Sequence, residues 1–220
     1  SWIVIDSSRG YNKTLKLETT DQEQSNAYVG YGIESDFFDS TGIKANSGGS
    51  PGFNASGNNY IVYGWRANGG TTSSNSDGDI TSTVQANTAA GFSIVTYTGD
   101  LTSSGERTVG HGLSAAPEFI VRKGLNETAR WAVSHIGLTS FNYMLELDST
   151  AAESDKSGNG SMSAPTTTVF SNNYTDGYAV NGKNYVAYCW HSVEGFQKFG
   201  SYVGNGNNDG PFIYTGFRPR

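Results

Sequence analysis

Few residues in this chain have the types and spacing that chemistry requires. Gly48-Gly49-Ser50-Pro51-Gly52 fits the G-x-S-x-G pattern of a nucleophile elbow, which sets a serine on a strained turn between a buried strand and a helix. Asn46-Ser47 before it and Phe53-Asn54-Ala55-Ser56-Gly57 after it read as loop on both sides. With 29 glycines and 27 serines in 220 residues, about 0.5 such matches arise by chance, and the match is rejected. Glu146-Leu147-Asp148-Ser149-Thr150-Ala151 resembles an E-x-D-x-x-E carboxylate strand, but the second glutamate is Ala151. Retaining glycoside hydrolysis needs two carboxyl groups about 5–5.5 Å apart. A related segment, Lys16-Leu17-Glu18, even replaces the first carboxylate with a cation. These side chains are expected to face solvent, no catalytic residue is expected, and the chain is not read as an enzyme.

Metal and cofactor chemistry has no better foothold. Asn75-x-Asp77-x-Asp79 and Asn205-x-Asn207-x-Asp209 offer oxygen donors at positions 1, 3 and 5 of a calcium loop. Position 12 is Ala86 or Gly216, not the bidentate glutamate such a loop uses, so both are read as turns. His111, His135 and His191 stand far apart in sequence and are read as structural or solvated. Cys189, the single cysteine, lies in Tyr185-Val186-Ala187-Tyr188-Cys189-Trp190 and is read as a small core residue. No metal ligand and no cofactor is expected, and no ligand-binding residue is assigned. Trp65 and Trp190, and likewise Trp2 and Trp131, hold equivalent positions and are expected in cores. Loop residues Tyr28, Tyr31, Tyr174 and Tyr178 are the candidates for sugar contacts.

The elements that would position any site must be strands. Gly, Ser, Thr and Asn fill 96 of the 220 positions, yet 4 Trp, 13 Tyr and 11 Phe supply the apolar surface that a folded chain needs. A net charge of -6 leaves no basic face for a nucleic acid backbone, and no apolar run approaches the ~18 residues of a helical membrane span. One cysteine excludes an internal disulfide framework. The chain begins at Ser1 without Met or a leader, and is expected to be a processed product or a fragment.

Internal repetition organises the chain. Residues 11–23, from Tyr11-Asn12-Lys13, align without gaps on residues 141–153, from Phe141-Asn142-Tyr143, at an offset of 130. Trp2-Ile3-Val4 matches Trp131-Ala132-Val133, and Gly57 to Trp65 matches Gly182 to Trp190. Gly91-Phe92 with Tyr97-Thr98-Gly99 returns as Gly195-Phe196 with Tyr202-Val203-Gly204. In Tyr185–Trp190, Val186, Tyr188 and Trp190 share one face, while small Ala187 and Cys189 fill the other, which implies packing on both sides. Short strands at 8–15-residue spacing argue for an all-β fold of two tandem, jelly-roll-like β-sandwich units related by internal duplication, the first circularly permuted. Residues 1–67 plus 194–220 are expected to form the first sandwich and residues 91–193 the second. Residues 68–90 are expected to be an exposed Gly/Ser/Thr-rich linker, open to glycosylation in an extracellular fibre. By this alignment residues 194–220 dock onto 1–67, within one chain or between neighbouring subunits. In the single-chain case Ser1 and Arg220 lie at most about 36 Å apart, the reach of 11 residues.

The stretch Gly110-His111-Gly112-Leu113-Ser114-Ala115-Ala116-Pro117, the strand Asn184–Trp190, and Glu194-Gly195-Phe196-Gln197-Lys198-Phe199-Gly200-Ser201-Tyr202-Val203-Gly204 with Gly210-Pro211-Phe212-Ile213-Tyr214-Thr215-Gly216 resemble a repeat domain. That domain occurs in structural or tail-fibre-like virion proteins of marine bacteriophages, including those of cyanobacteria. The resemblance implies a non-enzymatic structural protein of the virion surface or the extracellular space: a tail fibre, appendage or decoration protein. Its partners would be copies of itself or other virion proteins, and host-surface glycans, with no nucleic acid and no membrane. A carbohydrate-binding module or adhesin of an extracellular filament is the alternative, and a glucanase-type enzyme ranks third.

Overall fold

Short alternating segments, each closed by Gly, Asn, Asp or Ser, form thirteen strands in the computed structural model, which describes residues 2–29, 32–45 and 53–219. In chain order they begin with β1 (Ile3–Val4), β2 (Lys13–Lys16), β3 (Gln24–Ser25), β4 (Ser73–Asn75) and β5 (Ser82–Asn87). There follow β6 (Phe92–Thr98), β7 (Glu106–Gly110), β8 (Phe119–Gly124) and β9 (Ala132–His135). The last are β10 (Tyr143–Glu146), β11 (Ser154–Asp155), β12 (Val169–Asn173) and β13 (Asn184–Trp190). Eight of them make one sheet in the order β11-β10-β9-β8-β13-β6-β5-β4. A three-stranded sheet, β1-β2-β3, and the pair β12-β7 complete the set, every named pairing being antiparallel. The fold is all-β and sandwich-like, as the composition predicts. The elbow-like match at 48–52, Tyr31 and the Ser1-to-Arg220 separation fall outside the described residues.

The central sheet is packed on both faces, and β13 shows why. Tyr185, Ala187 and Cys189 enter a core with Val95, Tyr97, Ile120, Met144 and, from β7 and β12, Val109 and Phe170. Val186, Tyr188 and Trp190 enter a second core with Phe92, Ile94, Val121, Trp131 and Leu15 of β2. The period of two along a strand forces this division. Small Ala187 and Cys189 share the first core with the large Phe170 of β12, so the two-sided packing read from sequence is found. Cys189 is fully buried, and burial pushes its thiol up to about 12, so it is inert.

Two hairpins repeat one register. Ile3 faces Lys16 and Val4 faces Leu15; Ala132 faces Glu146 and Val133 faces Leu145. Lys13 faces Ser25 as Tyr143 faces Asp155. The closing bonds recur too: Leu17 N–H donates to Trp2 O at 3.0 Å, and Leu147 N–H to Trp131 O at 2.9 Å. Even the carboxylates correspond, Glu18 accepting from Trp2 N–H and Asp148 from Trp131 N–H. The expectation that the carboxylates of the E-x-D-like strand face solvent fails for Asp148, whose side chain is buried, and holds only in part for Glu146. Asp148 closes a strand end, and Arg130 lies 3.3 Å from Glu146 and 3.7 Å from Asp148.

Three expectations need correction. Residues 68–90 hold β4 and β5, so much of the expected linker is sheet. Ser82 and Val84 point inward between exposed Thr83 and Thr81, an alternation hidden by the small polar residues around it. Of residues 69–83, only Ile80 and Ser82 are fully buried, because β4 is the sheet's edge. Tyr60–Trp65, whose sequence matches β13, is not a strand; β13 lies between β6 and β8, whereas no strand among the described residues runs beside 60–65. Residues 198–219 likewise form no strand and are mostly exposed. The equivalent tryptophans therefore part company: Trp131 and Trp190 are buried, Trp2 and Trp65 are 50% and 54% exposed.

Candidate interaction surface

Two buried ionic clusters come closest to a reactive constellation. Arg122, on β8, reaches Asp176 at 3.0 Å and also bonds Asn172 and Ser134, with its guanidinium over the Tyr178 ring at 5.4 Å. Burial pushes the Asp176 carboxyl up to about 6, against the pull of the Arg122 charge. Arg122 Nε has no partner among the described residues. Asp6 accepts from the Ser8 and Arg9 backbone and from Tyr188 Oη at 2.6 Å, and pairs with Arg9, which also reaches Glu23 at 3.0 Å. This second cluster clamps the first hairpin to the central sheet. Trp131 Nε1, donating to Lys16 O at 2.8 Å, and Glu23 N–H, donating to Leu125 O, act with it. Apart from Arg122 Nε, the donors named in these clusters join one chain segment to another, so they act as structural ties. Sequence gave no signal for them, because Asp6, Arg9 and Glu23 look like any surface charges.

The remaining candidates are spread through the fold. His111 is fully buried; its Nδ1 accepts from Leu113 N–H at 3.1 Å and its Nε2 meets Thr166 O at 3.2 Å. Burial pushes its imidazole down to about 4. His135 Nδ1 accepts from Gly137 N–H, and His191 Nδ1 lies 2.8 Å from Ser192 O. Asp79 turns away from Asn75 and Asp77 to accept from Thr108 N–H and Oγ1, which lowers its carboxyl. Asn205 accepts from Asn207 N–H in a plain turn. Among the described residues no three His, Cys, Asp or Glu side chains gather as metal ligands. Of the tyrosines proposed for sugars, Tyr178 is buried and donates to Arg130 O, Tyr174 packs against the core, and Tyr28 meets Phe53 edge-on. Tyr28 and Tyr174 remain partly exposed. A cleft of about 550 Å³ along β5, β6 and β13 is lined by Thr83, Thr96, Thr98, Asp100 and Asn184. It offers hydroxyl, amide and carboxylate hydrogen-bonding groups.

The feature that most needs explaining is apolar and exposed. Rings run from the core to the surface: Phe199 stacks on Phe119 at 5.5 Å, Phe119 on Trp190 at 5.1 Å, and Trp190 meets Trp65 edge-on at 5.6 Å. From the two ends of this ladder leave two strand-like segments. One carries Ile61, Val62 and Tyr63, the other Tyr202 and Val203, and all five are 64–88% exposed. Phe212 is 90% exposed, with Ile213 and Tyr214 beside it. Isolated exposed apolar residues are ordinary, whereas runs of them at this density are uncommon on the surface of a folded chain. Among the described residues no helix is long and apolar enough to cross a membrane. No curated protein and no solved structure gives a significant match to the chain. Residues 1–220 match a domain of unknown function, DUF7483, along their whole length, and the chain belongs to that family.

Proposed function

We propose that this chain is a non-enzymatic structural module of a virion surface, a tail fibre, appendage or decoration component, built from tandem copies of one β unit. In this reading residues 91–193 form one sandwich, and residues 1–67 with 194–220 supply the two parts of a circularly permuted other. The observation that carries it is the repeated hairpin register, Val4 opposite Leu15 as Val133 is opposite Leu145, joined to exposed apolar segments that copy the buried β13 and β6. A mild negative charge and a skin of small hydroxyl and amide side chains suit a particle exposed to water. Partners are then copies of the chain or other virion proteins, with no nucleic acid and no membrane, and no cofactor. Electron microscopy of the purified protein at rising concentration tests this: ordered rings or filaments are expected, and dispersed monomers throughout would overturn it.

A second reading, a carbohydrate-binding module or adhesin for host-surface glycans, draws on the exposed Trp2–Tyr63 pair, with ring centroids 5.9 Å apart, and on Trp65. A glycan array separates the two. Retention on one sugar class, lost in Trp65→Ala, would favour binding over assembly.

A further inference from the structure

One end of the central sheet carries hydroxyls where the same face is core further along. Gln85, Ile94, Tyr188 and Val121 stand side by side across β5, β6, β13 and β8, and all four are buried. The turn from Asp6 to Arg9 lies over this row: Gln85 Nε2 donates to Ser8 Oγ, its Oε1 accepts from Ser7 Oγ, and Tyr188 Oη donates to Asp6. Two residues along each strand the same face returns, and there the row is Ser74, Thr83, Thr96 and Val186. Thr98 and Asn184 are the next pair, Thr98 Oγ1 donating to Asn184 Oδ1 at 2.9 Å. Thr83, Thr98 and Asn184 are exposed and Thr96 half-buried. These side chains floor the cleft of about 550 Å³, a volume inside the ~300–1,000 Å³ of small-ligand sites. We infer that this cleft binds a neutral oligosaccharide, held by hydrogen bonds to the hydroxyls of Thr83, Thr96 and Thr98 and to the Asn184 amide.

The chemistry of the lining selects that class. Among the described residues no lysine, arginine or histidine lines the cleft, whereas Asp79 and Asp100 do. Asp79 is tied to Thr108, and Asp100 to Arg107 at 2.9 Å. Phosphate, sulfate or uronate groups would therefore meet two carboxylates and no cation of the lining. An apolar ligand fits no better, because Ile80, Tyr97 and Tyr185 belong to the core on the other face and leave Leu125 as the apolar side chain at the cleft. A threonine hydroxyl both donates and accepts, so it matches a sugar hydroxyl of either orientation. Threonine is also stiff at χ1, so holding it in one rotamer on binding costs little entropy. The walls are fixed as well: Leu125 O accepts from Glu23 N–H at 3.0 Å, which sets the first hairpin beside the cleft. Trp65 meets Phe92 and Trp190, at the opposite end of β6 and β13 from Thr98 and Asn184. The cleft is thus separate from the exposed aromatic surface, and the inference rests on neither reading above.

Calorimetric titration tests it, with cellohexaose, laminarihexaose, xylohexaose and mannohexaose as neutral probes and hexagalacturonate as the acidic one. At least one neutral probe is expected to bind with a Kd below about 1 mM, and the acidic probe to give no heat. In Thr83→Val/Thr96→Val, which keeps a β-branched residue at both positions, the affinity should fall about tenfold, the loss of two hydrogen bonds. Tm should stay within about 2 °C, since both side chains are at the surface. No heat from any neutral probe at about 5 mM overturns the inference, as does an affinity that the threonine pair does not change. Preference for hexagalacturonate overturns it too. Binding that survives the threonine substitutions and is lost in Trp65→Ala would move the sugar to the aromatic surface and strike the cleft. Assembly seen by electron microscopy without binding of any probe would leave the structural reading standing and remove this site alone.

Discussion

Lowering the pH should destabilise this protein through one residue, His111. The imidazole sits between Gly110 and Gly112, wholly buried, with Nδ1 accepting from Leu113 N–H and Nε2–H donating to Thr166 O. Burial is the main force against its charge. The Leu113 bond adds to it, because a protonated Nδ1 would meet another donor. The folded pKa near 4 lies below the ordinary 6.5. The unfolded chain then takes up a proton that the folded chain refuses as pH falls from 6.5 to about 4. Stability is complete above 6.5 and is lost on the way down; at pH 5 the linkage amounts to ~2 kcal/mol. For a chain of this size that corresponds to a Tm lower by roughly 4–8 °C.

Other groups titrate in the same window, and Asp176 has the opposite sign. Its carboxyl, raised by burial to about 6, favours the folded state as it protonates. The measurement is therefore a difference. Urea unfolding, followed by tryptophan fluorescence, compares the protein with His111→Gln at pH 7.5 and pH 5. The variant should be less stable at pH 7.5, and the gap should narrow by ~2 kcal/mol at pH 5. Curves that stay parallel within ~0.5 kcal/mol would refute the argument, as would an NMR imidazole titration with its midpoint near 6.5.

Asp176→Ala should cost ~3–5 kcal/mol in denaturant unfolding, because it leaves the buried Arg122 guanidinium without its counter-charge. The double variant Arg122→Met/Asp176→Leu should recover most of that loss. In Gly99→Ala the new Cβ would lie 2.4 Å from the Ala179 carbonyl carbon and the Val180 oxygen, both backbone. A loss of ~1–3 kcal/mol is expected by thermal melting. Gly64→Ala, with nothing within 4 Å, is the control and should leave Tm unchanged. Lys123, its ammonium held near 8 by burial, should give the folded protein rising stability from pH 8 toward pH 10, because the unfolded lysine keeps its proton longer. Lys123→Met should flatten that rise in a pH series of urea melts.

What the sequence made legible was local. Alternation along Val186, Tyr188 and Trp190 against Ala187 and Cys189 was enough to place β13 between two layers, because side-chain direction follows from strand geometry alone. The Trp2–Glu23 and Trp131–Glu153 stretches read as copies, and their hairpins share a register because adjacent strands need only a nearby partner. Long-range placement was not legible. In Phe119-Ile120-Val121-Arg122-Lys123 nothing local marks the two cations as buried, yet both are, Arg122 paired with Asp176 from a loop 54 residues further on. The Asp6–Arg9–Glu23 clamp escaped notice for the same reason, since its worth depends on Tyr188, 182 residues beyond Asp6. The sharpest case is Asn59–Trp65 against Asn184–Trp190. Nearly the same residues are exposed in one place and buried in the other. A β sequence encodes readiness to pair, and its exposure depends on which edge comes beside it. Asn184–Trp190 has β6 and β8 beside it within the chain, whereas the segment whose sequence repeats β6 turns at Phe196 and passes Phe119 without forming a strand. The sequence of 60–65 thus asks for an edge that no strand among the described residues places next to it.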